Sequence, residues 1–300
     1  MMRHPALPPL ERPHPRSARL DRLSTREILA LMNREDIGVP AAVRRTLPQL
    51  TRAVDAVAAA LKNGHRLFYV GAGSSGRLGV LDAAECPPTF QVSPRQVQAV
   101  LAGGRRAMFR SVEAAEDSAL AGRRDLARRR LRKGDVVVVL TASGTTPYAL
   151  GALDFARRRG AFTIAVTADR RSPAARRARL ALCPDTGPEV IAGSTRLKAG
   201  TAQKLVLNML STAAMIHLGH VYRNLMVNVQ MKNRKLRRRG QCILQLALSC
   251  SPAQAQRLIR RSGGHLKAAI VMGRLGCSRA QALKLLRRAG GRVRRALNQR

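Results

Sequence analysis

Apolar positions along this chain change their period twice. Between Ser24 and Gly64 they recur every three or four residues. Ser24-Thr25-Arg26-Glu27 has the form of a capping box ahead of the apolar run at 28–32, which predicts a helix starting there. Leu47, Leu50, Val54, Val57 and Leu61 predict a second helix over about 40–62, stopped by Gly64. From Arg66 short β-rich runs alternate with helical segments. Strands are expected at 67–70, 97–101, 136–141, 163–167 and 180–183, and helices at 119–132, 146–159 and 197–219. The run Val136-Val137-Val138-Val139-Leu140 is apolar on both faces, as a central strand covered by helices on each side requires. The alternation predicts an α/β fold, a parallel sheet flanked by helices.

Beyond about residue 240 no strand pattern remains and a repeat takes over. SPAQAQRLIRRSGGHLKAAI at 251–270 aligns with SRAQALKLLRRAGGRVRRAL at 278–297, each unit reading as helix, Gly-Gly turn, helix. Two units make a small all-helical module with a structural or interaction role. The expected organisation is a disordered Pro- and Arg-rich lead over 1–20, a sheet-containing domain with N-terminal helices over 21–239, and the helical module over 240–300.

Charge changes the picture of partners. Lys and Arg number 55 against 17 Asp and Glu, a formal net charge of +38, so nonspecific attraction to polyanions is expected. Only 3% of residues are aromatic, which leaves few platforms for stacking single-stranded bases and favours solvated arginine faces over a nucleic-acid reader. No run is long and apolar enough to span a membrane and no apolar leader region is present, so a cytoplasmic location is expected. The five cysteines, at 86, 183, 242, 250 and 277, show neither CxxC nor Cys/His ligand spacing, and neither a disulfide framework nor a metal site is expected.

Candidate chemistry lies in the loops that follow the predicted strands. Gly71-Ala72-Gly73-Ser74-Ser75-Gly76 has the G-x-G-x-x-G spacing of a dinucleotide fingerprint, but 92–104 lacks the acidic residue that would hold a ribose. What remains is a phosphate cradle of Ser74, Ser75 and Gly76 with backbone amides at a helix N-terminus. Thr141-Ala142-Ser143-Gly144-Thr145-Thr146-Pro147 repeats that chemistry after the central strand, with Ser143, Gly144, Thr145 and Thr146 as candidate ligands. Each loop read alone is also an ordinary βα turn with Ser/Thr caps; two together favour a small phosphorylated ligand. A third cluster, Glu189 with Ser194, Thr195 and Lys198, precedes the helix expected from 197 and reads equally as ligand groups or as helix capping. Glu85, in LDAAECPPTF, and Glu116, in SVEAAEDS, are rare carboxylates in Gly-, Ser- and Pro-rich surroundings and are candidate acid/base groups. The prolines at 87 and 88 are expected to end the helix carrying Glu85.

These motifs together resemble the sugar isomerase (SIS) domain and, within it, the N-acetylmuramic acid 6-phosphate etherase family. The resemblance rests on LDRLSTREILALMNRED, YVGAGSSGRLGVLDAAECPPTF, VEAAED, TASGTTPYALGAL, GSTRLKAGTAQKLVLNMLSTAAM and NLMVNVQMKN, and extends over about 20–298. It implies a SIS-type sheet, a homodimer, no cofactor, and cleavage of the D-lactyl ether of a phosphorylated amino sugar by elimination and water addition. It also implies Glu85 as the proton-donating acid/base and Glu116 as the second glutamate, which activates water. Three positions depart from the family's usual pattern: Ser74 stands for Thr, Ala114 for Gly and Thr145 for Arg. Ala114 would disturb Glu116 if the turn required a positive φ, and Thr145 removes a cation from a phosphate-facing loop. The other function in view is a non-catalytic regulator that binds a sugar phosphate through a SIS domain.

Overall fold

Leu67–Gly71 (β1), Val97–Leu101 (β2), Val136–Leu140 (β3), Phe162–Val166 (β4) and Leu180–Leu182 (β5) form one parallel sheet in the order β2-β1-β3-β4-β5. Leu67 of β1 sits opposite Val97 on one side and Val136 on the other, so the strand order reverses between β1 and β3. Loops leaving the carboxyl ends of those two strands flank the point where open α/β sheets bind ligands. Every residue of β1 and β3 is buried, which is what their uninterrupted apolar sequences require. This is a computed structural model and describes residues 7–229, 231 and 233–299. The chain divides into two compact units, one containing the sheet and ending at Ala83 and Ser211, the other built from Ala84–Pro94 and the chain from Thr212 onward.

In the first unit, Phe68, Val70, Val137 and Val139 face Leu126, Tyr148, Ala152 and Leu153 from the helices Ala119–Arg128 and Pro147–Arg158. Those helices meet backbone to backbone. A Cβ on Gly122 would lie 2.0 Å from the Tyr148 carbonyl oxygen, and one on Gly151 2.0 Å from that of Ala119, so only glycine fits at either place. The capping box at Ser24 and Glu27 opens Thr25–Asp36 as expected. The single helix anticipated over 40–62 is instead two, Gly38–Arg44 and Leu47–Lys62. Pro48 has no N–H to give to the Arg44 carbonyl, so it begins a new helix in the first turn, where a missing donor costs nothing.

The lead also differs from the disorder expected for 1–20; residues 1–6 lie outside the described residues. From Leu7 onward the lead carries three single 3₁₀ turns, Pro9–Glu11, Pro15–Ser17 and Leu20–Arg22. Leu10 is buried against Ala142 and Ala199, its carbonyl accepts from the Gly193 amide at 3.0 Å, and buried His14 lies 3.0 Å from Glu35. Composition reports the polarity of this segment but not the two side chains that anchor it.

The second unit contains the repeat as read: helices Pro252–Arg261 and Leu266–Leu275, then Arg279–Arg288 and Val293–Leu297, each pair joined by two glycines at positive φ. It begins earlier than residue 240 because Tyr222, Val227 and Val229 pack into the same core as Leu244, Leu266, Ile270 and Leu286. Residues 212–300 carry 20 Lys and Arg and no Asp or Glu. Helix starts are capped by neutral groups there: Ser251 with Gln254, Ser278 with Gln281, His265 and Asn233. Buried Lys267 donates to the Gly219 and Gly291 carbonyls at 2.8 and 3.0 Å, tying together the turns after Lys198–His217 and after Arg279–Arg288.

His220 is half-buried in this unit, beside the Asn228 amide, which donates to the Phe90 carbonyl at 2.9 Å. Burial, helped by the nearby Lys267 ammonium, pushes the imidazole down to about 4. Its folded value is therefore below its unfolded one, so the unfolded chain takes up more protons in the window between. Stability from neutral His220 is complete above the ordinary histidine range and is lost as pH falls toward 4. The loss is about 2 kcal/mol once partial solvent screening is allowed for. Comparing unfolding midpoints of the wild type and His220→Gln from pH 7 to 4 should show the wild type losing the larger share; parallel curves would exclude this origin.

Candidate active site

The first candidate loop follows from three glycines. A Cβ on Gly71 would lie 2.8 Å from the Leu140 carbonyl oxygen, and one on Gly76 would lie 2.5 Å from that of Gly71. The first turn of helix Gly73–Phe90 therefore rests directly on the ends of β1 and β3. Gly73 takes φ +53° at the turn itself. Ser74 and Ser75 are half-buried in this first turn, where amides and helix dipole favour an anion.

Ser74 opens into a cavity of about 210 Å³ whose wall also carries Gly73, Arg77, Ser111 and Glu116. Glu116 closes the 3₁₀ turn Glu113–Ala115, donating its amide to the Glu113 carbonyl at 3.1 Å and accepting from the Tyr148 amide at 2.9 Å through its own carbonyl. The backbone thus fixes Glu116 against the start of helix Pro147–Arg158, and its side chain is exposed. Ala114 lies inside the 3₁₀ turn and not at positive φ, so the missing glycine imposes no strain there. Arg77, which sequence reasoning passed over, donates to the Ala107 carbonyl at 2.9 Å and so ties the helix of Ser74 to the segment leading to Glu116. Its place one turn after Ser74 on a helix face is the signal that would have found it.

The second loop holds itself. Thr141 and Thr146 share a hydroxyl–hydroxyl bond of 3.0 Å, and the Gly144 amide donates to the Thr141 hydroxyl at 3.1 Å. Gly144 has φ +72°, and a Cβ there would lie 2.1 Å from the Ser172 hydroxyl. Ser143 and Thr145, paired at 2.9 Å, are the hydroxyls nearest solvent. Thr141 and Thr146 therefore build the loop, while Ser143 and Thr145 bond each other on its outer side.

The third cluster has internal partners. Glu189 is fully buried and accepts from the Lys198 and Ala199 amides at 3.0 and 2.9 Å, which makes it the cap of helix Lys198–His217. Burial pushes its carboxyl up, with those amides opposing. The Lys198 ammonium, also buried, donates to Glu35 at 2.9 Å. Burial alone would raise Glu35, but Lys198 and His14 outweigh it and hold that carboxyl below the usual range. Ser194 and Thr195 are half-buried in the turn before the helix. Replacing Glu189 by Ala should lower stability by about 2 kcal/mol, with Gln intermediate because one acceptor oxygen remains. Denaturant midpoints check this, and an unchanged midpoint for Glu189→Ala would rule out the capping role.

Glu85 is exposed in the part of helix Gly73–Phe90 that belongs to the second unit. The expectation that Pro87 and Pro88 end this helix is corrected: it continues through both to Phe90. Proline's φ suits a helix, and the last turn closes through the Gln91 amide donating to the Pro87 carbonyl at 2.9 Å, with Gln91 at φ +57° as the stop. One turn before Glu85 lies a second carboxylate absent from the sequence reading, Asp82, which is buried and accepts from the Ser211 hydroxyl at 3.0 Å. Burial raises its carboxyl, with the Tyr69 and Ser211 hydroxyls opposing.

Among the described residues no helix is long and apolar enough to cross a membrane. Residues 49–157 match the family described as glucokinase regulatory protein N-terminal SIS domain, and residues 113–213 match the SIS domain. A Bacteroides fragilis NCTC 9343 structure assigned to the phosphosugar isomerases shares the fold, with TM-score 0.50 and 15% identity over 67% of this chain and 95% of that one. N-acetylmuramic acid 6-phosphate etherase 2 of Vibrio cholerae serotype O1 is 51% identical over 259 residues, 86% of this chain and 84% of its own. The Edwardsiella ictaluri etherase of that name is 53% identical over 262 residues, 87% of each chain. The Symbiobacterium thermophilum one is 52% identical over 255 residues, 85% of each. At this identity and coverage the chain belongs to the N-acetylmuramic acid 6-phosphate etherase family.

Proposed function

We propose that this chain is an enzyme of the carbon–oxygen lyase type that converts N-acetylmuramic acid 6-phosphate and water into N-acetylglucosamine 6-phosphate and D-lactate, as a step of amino-sugar and cell-wall recycling, without a cofactor. The observation that carries the reading is one cavity joining the phosphate-type turn at Ser74 to the carboxylate of Glu116, in a chain about half identical to relatives of that name. The helix N-terminus at Ser74 and Ser75, with the hydroxyls of Ser143 and Thr145, holds the 6-phosphate. Gly76, Gly144 and Thr146 shape these loops, and Ser194 and Thr195 stand at the edge of the sugar.

In the open-chain sugar the C2 proton is acidic because it lies alpha to the C1 aldehyde. A carboxylate removes it; the C2 electron pair forms the C2–C3 double bond, and the C3–oxygen bond breaks as Glu85 protonates the departing lactyl oxygen. Glu116 then takes a proton from water as the oxygen adds to C3, and C2 is reprotonated. Each proton withdrawn is returned, so both glutamates end as they began. Two such chains form the working dimer, supported by Phe109 and Leu120, which stand 89% and 71% exposed on either side of the Glu116 turn. The cytoplasm is the compartment in which such a recycling step belongs.

The test is D-lactate release from N-acetylmuramic acid 6-phosphate by purified, nucleic-acid-free protein, with Glu85→Gln as the paired control. Release that disappears in the variant establishes the reaction. Sugar-phosphate binding without release would establish a regulator on the same scaffold.

A further inference from the structure

We propose that the sheet-containing unit carries a second binding site, for a phosphorylated polyol, at the carboxyl ends of β4 and β5, away from the switch point between β1 and β3. A cavity of about 470 Å³ lies there, within the roughly 300–1,000 Å³ of small-molecule sites. Its wall combines two chemistries. Arg45, Arg170 and Arg171 present guanidinium groups, and among the described residues none of the three pairs with a carboxylate. Arg45, which also donates to the Asp185 carbonyl at 3.1 Å, directly precedes helix Leu47–Lys62, whose N-cap residue Thr46 turns its hydroxyl back to the Val43 carbonyl and leaves the helix without a side-chain cap. Cations and an uncapped helix start together suit a phosphate.

The second chemistry asks for hydroxyl donors. Gln49 lines the cavity, and its Oε1 is buried with no hydrogen-bond partner. Asp169 and Asp185 each accept one backbone amide through a single oxygen, from Arg171 at 2.8 Å and from Gly187 at 3.0 Å. An inorganic anion would satisfy the arginines and leave these acceptors unmet, whereas a sugar phosphate supplies both. The segment forming this wall is also bonded to the second ligand loop: the Ala168 amide and Thr167 hydroxyl donate to the Ala142 carbonyl at 2.9 and 3.0 Å, and the Ala174 amide to that of Gly144 at 3.0 Å. Occupancy at β4 and β5 thereby bears on the Ser143 loop.

Hydrogen–deuterium exchange on the full chain with glucose 6-phosphate tests this independently of turnover. Protection is expected at 45–50 and 183–187. It should persist in Ser74→Ala/Ser75→Ala, which disarms the first loop, and weaken at least about tenfold in apparent affinity in Arg170→Ala/Arg171→Ala. Arg128→Ala/Arg129→Ala removes the same charge from an unrelated surface and should change affinity less than about twofold. Inorganic phosphate should protect these segments at least about tenfold more weakly than glucose 6-phosphate. Absence of protection there, its loss with the first loop, or equal effects of the two arginine pairs would each overturn the site.

Discussion

Glu116→Gln should reduce kcat for lactate release by about 10²–10⁴-fold, the range for removing a positioned acid/base group, with unfolding midpoints unchanged. The substitution isolates the proton chemistry because the backbone, not the carboxylate, holds this residue. Its amide and carbonyl bind Glu113 and Tyr148, and its side chain is exposed beside the cavity of Ser74. Glutamine keeps the shape and the capacity to hydrogen-bond but cannot take a proton from water. If both carboxylates serve one reaction cycle, Glu85→Gln should fall as far, and the double variant little further, since groups that act as a unit are not additive. Retention of more than a tenth of wild-type kcat in Glu116→Gln, measured by D-lactate formation, would remove Glu116 from the mechanism.

Gly122→Ala should cost about 3 kcal/mol or more and lower the melting temperature by roughly 10 °C. The added methyl carbon would stand 2.0 Å from the Tyr148 carbonyl oxygen, a backbone atom that no rotamer change can move aside. Relief requires helix Ala119–Arg128 to lift from helix Pro147–Arg158. Because the Tyr148 amide also bonds the Glu116 carbonyl, the same movement drags the turn that carries Glu116, so activity should fall even below the melting temperature if that carboxylate takes part in the reaction. Arg123→Ala, at an exposed position on the same helix, is the control and should leave stability within about 0.5 kcal/mol. A Gly122→Ala protein as stable as the control would show that the helices part more easily than their backbone contact implies.

How much of this could be read from the residues depends on the range of the interaction. The sheet was legible because each strand is a local apolar run, and the turns after β1 and β3 because glycine spacing encodes a local turn. Glu189 and Lys198 were ambiguous for the opposite reason. The partner of Lys198 is Glu35, 163 residues earlier, and no spacing rule reaches that far. The folded lead was missed likewise, since Leu10 and His14 are two anchors in a polar stretch and their sockets are distant in the chain. Pro87 and Pro88 misled because the rule that proline ends a helix weighs one lost donor and not the packing that retains the turn. Arg77 escaped because its acceptor is a backbone carbonyl, which leaves no mark on composition.

The chain from Thr212 onward has no carboxylate side chain with which any of its cations can pair. Its folded form therefore concentrates like charge, and the apolar core, the neutral caps and the carbonyls that bind Lys267, Arg274 and Arg279 oppose that repulsion. Dissolved counterions become part of what keeps the unit compact: added salt shortens the reach of the repulsion from ~10 Å at 0.1 M to ~3 Å at 1 M. Here salt strengthens the fold, the reverse of its effect on a protein stitched together by surface ion pairs.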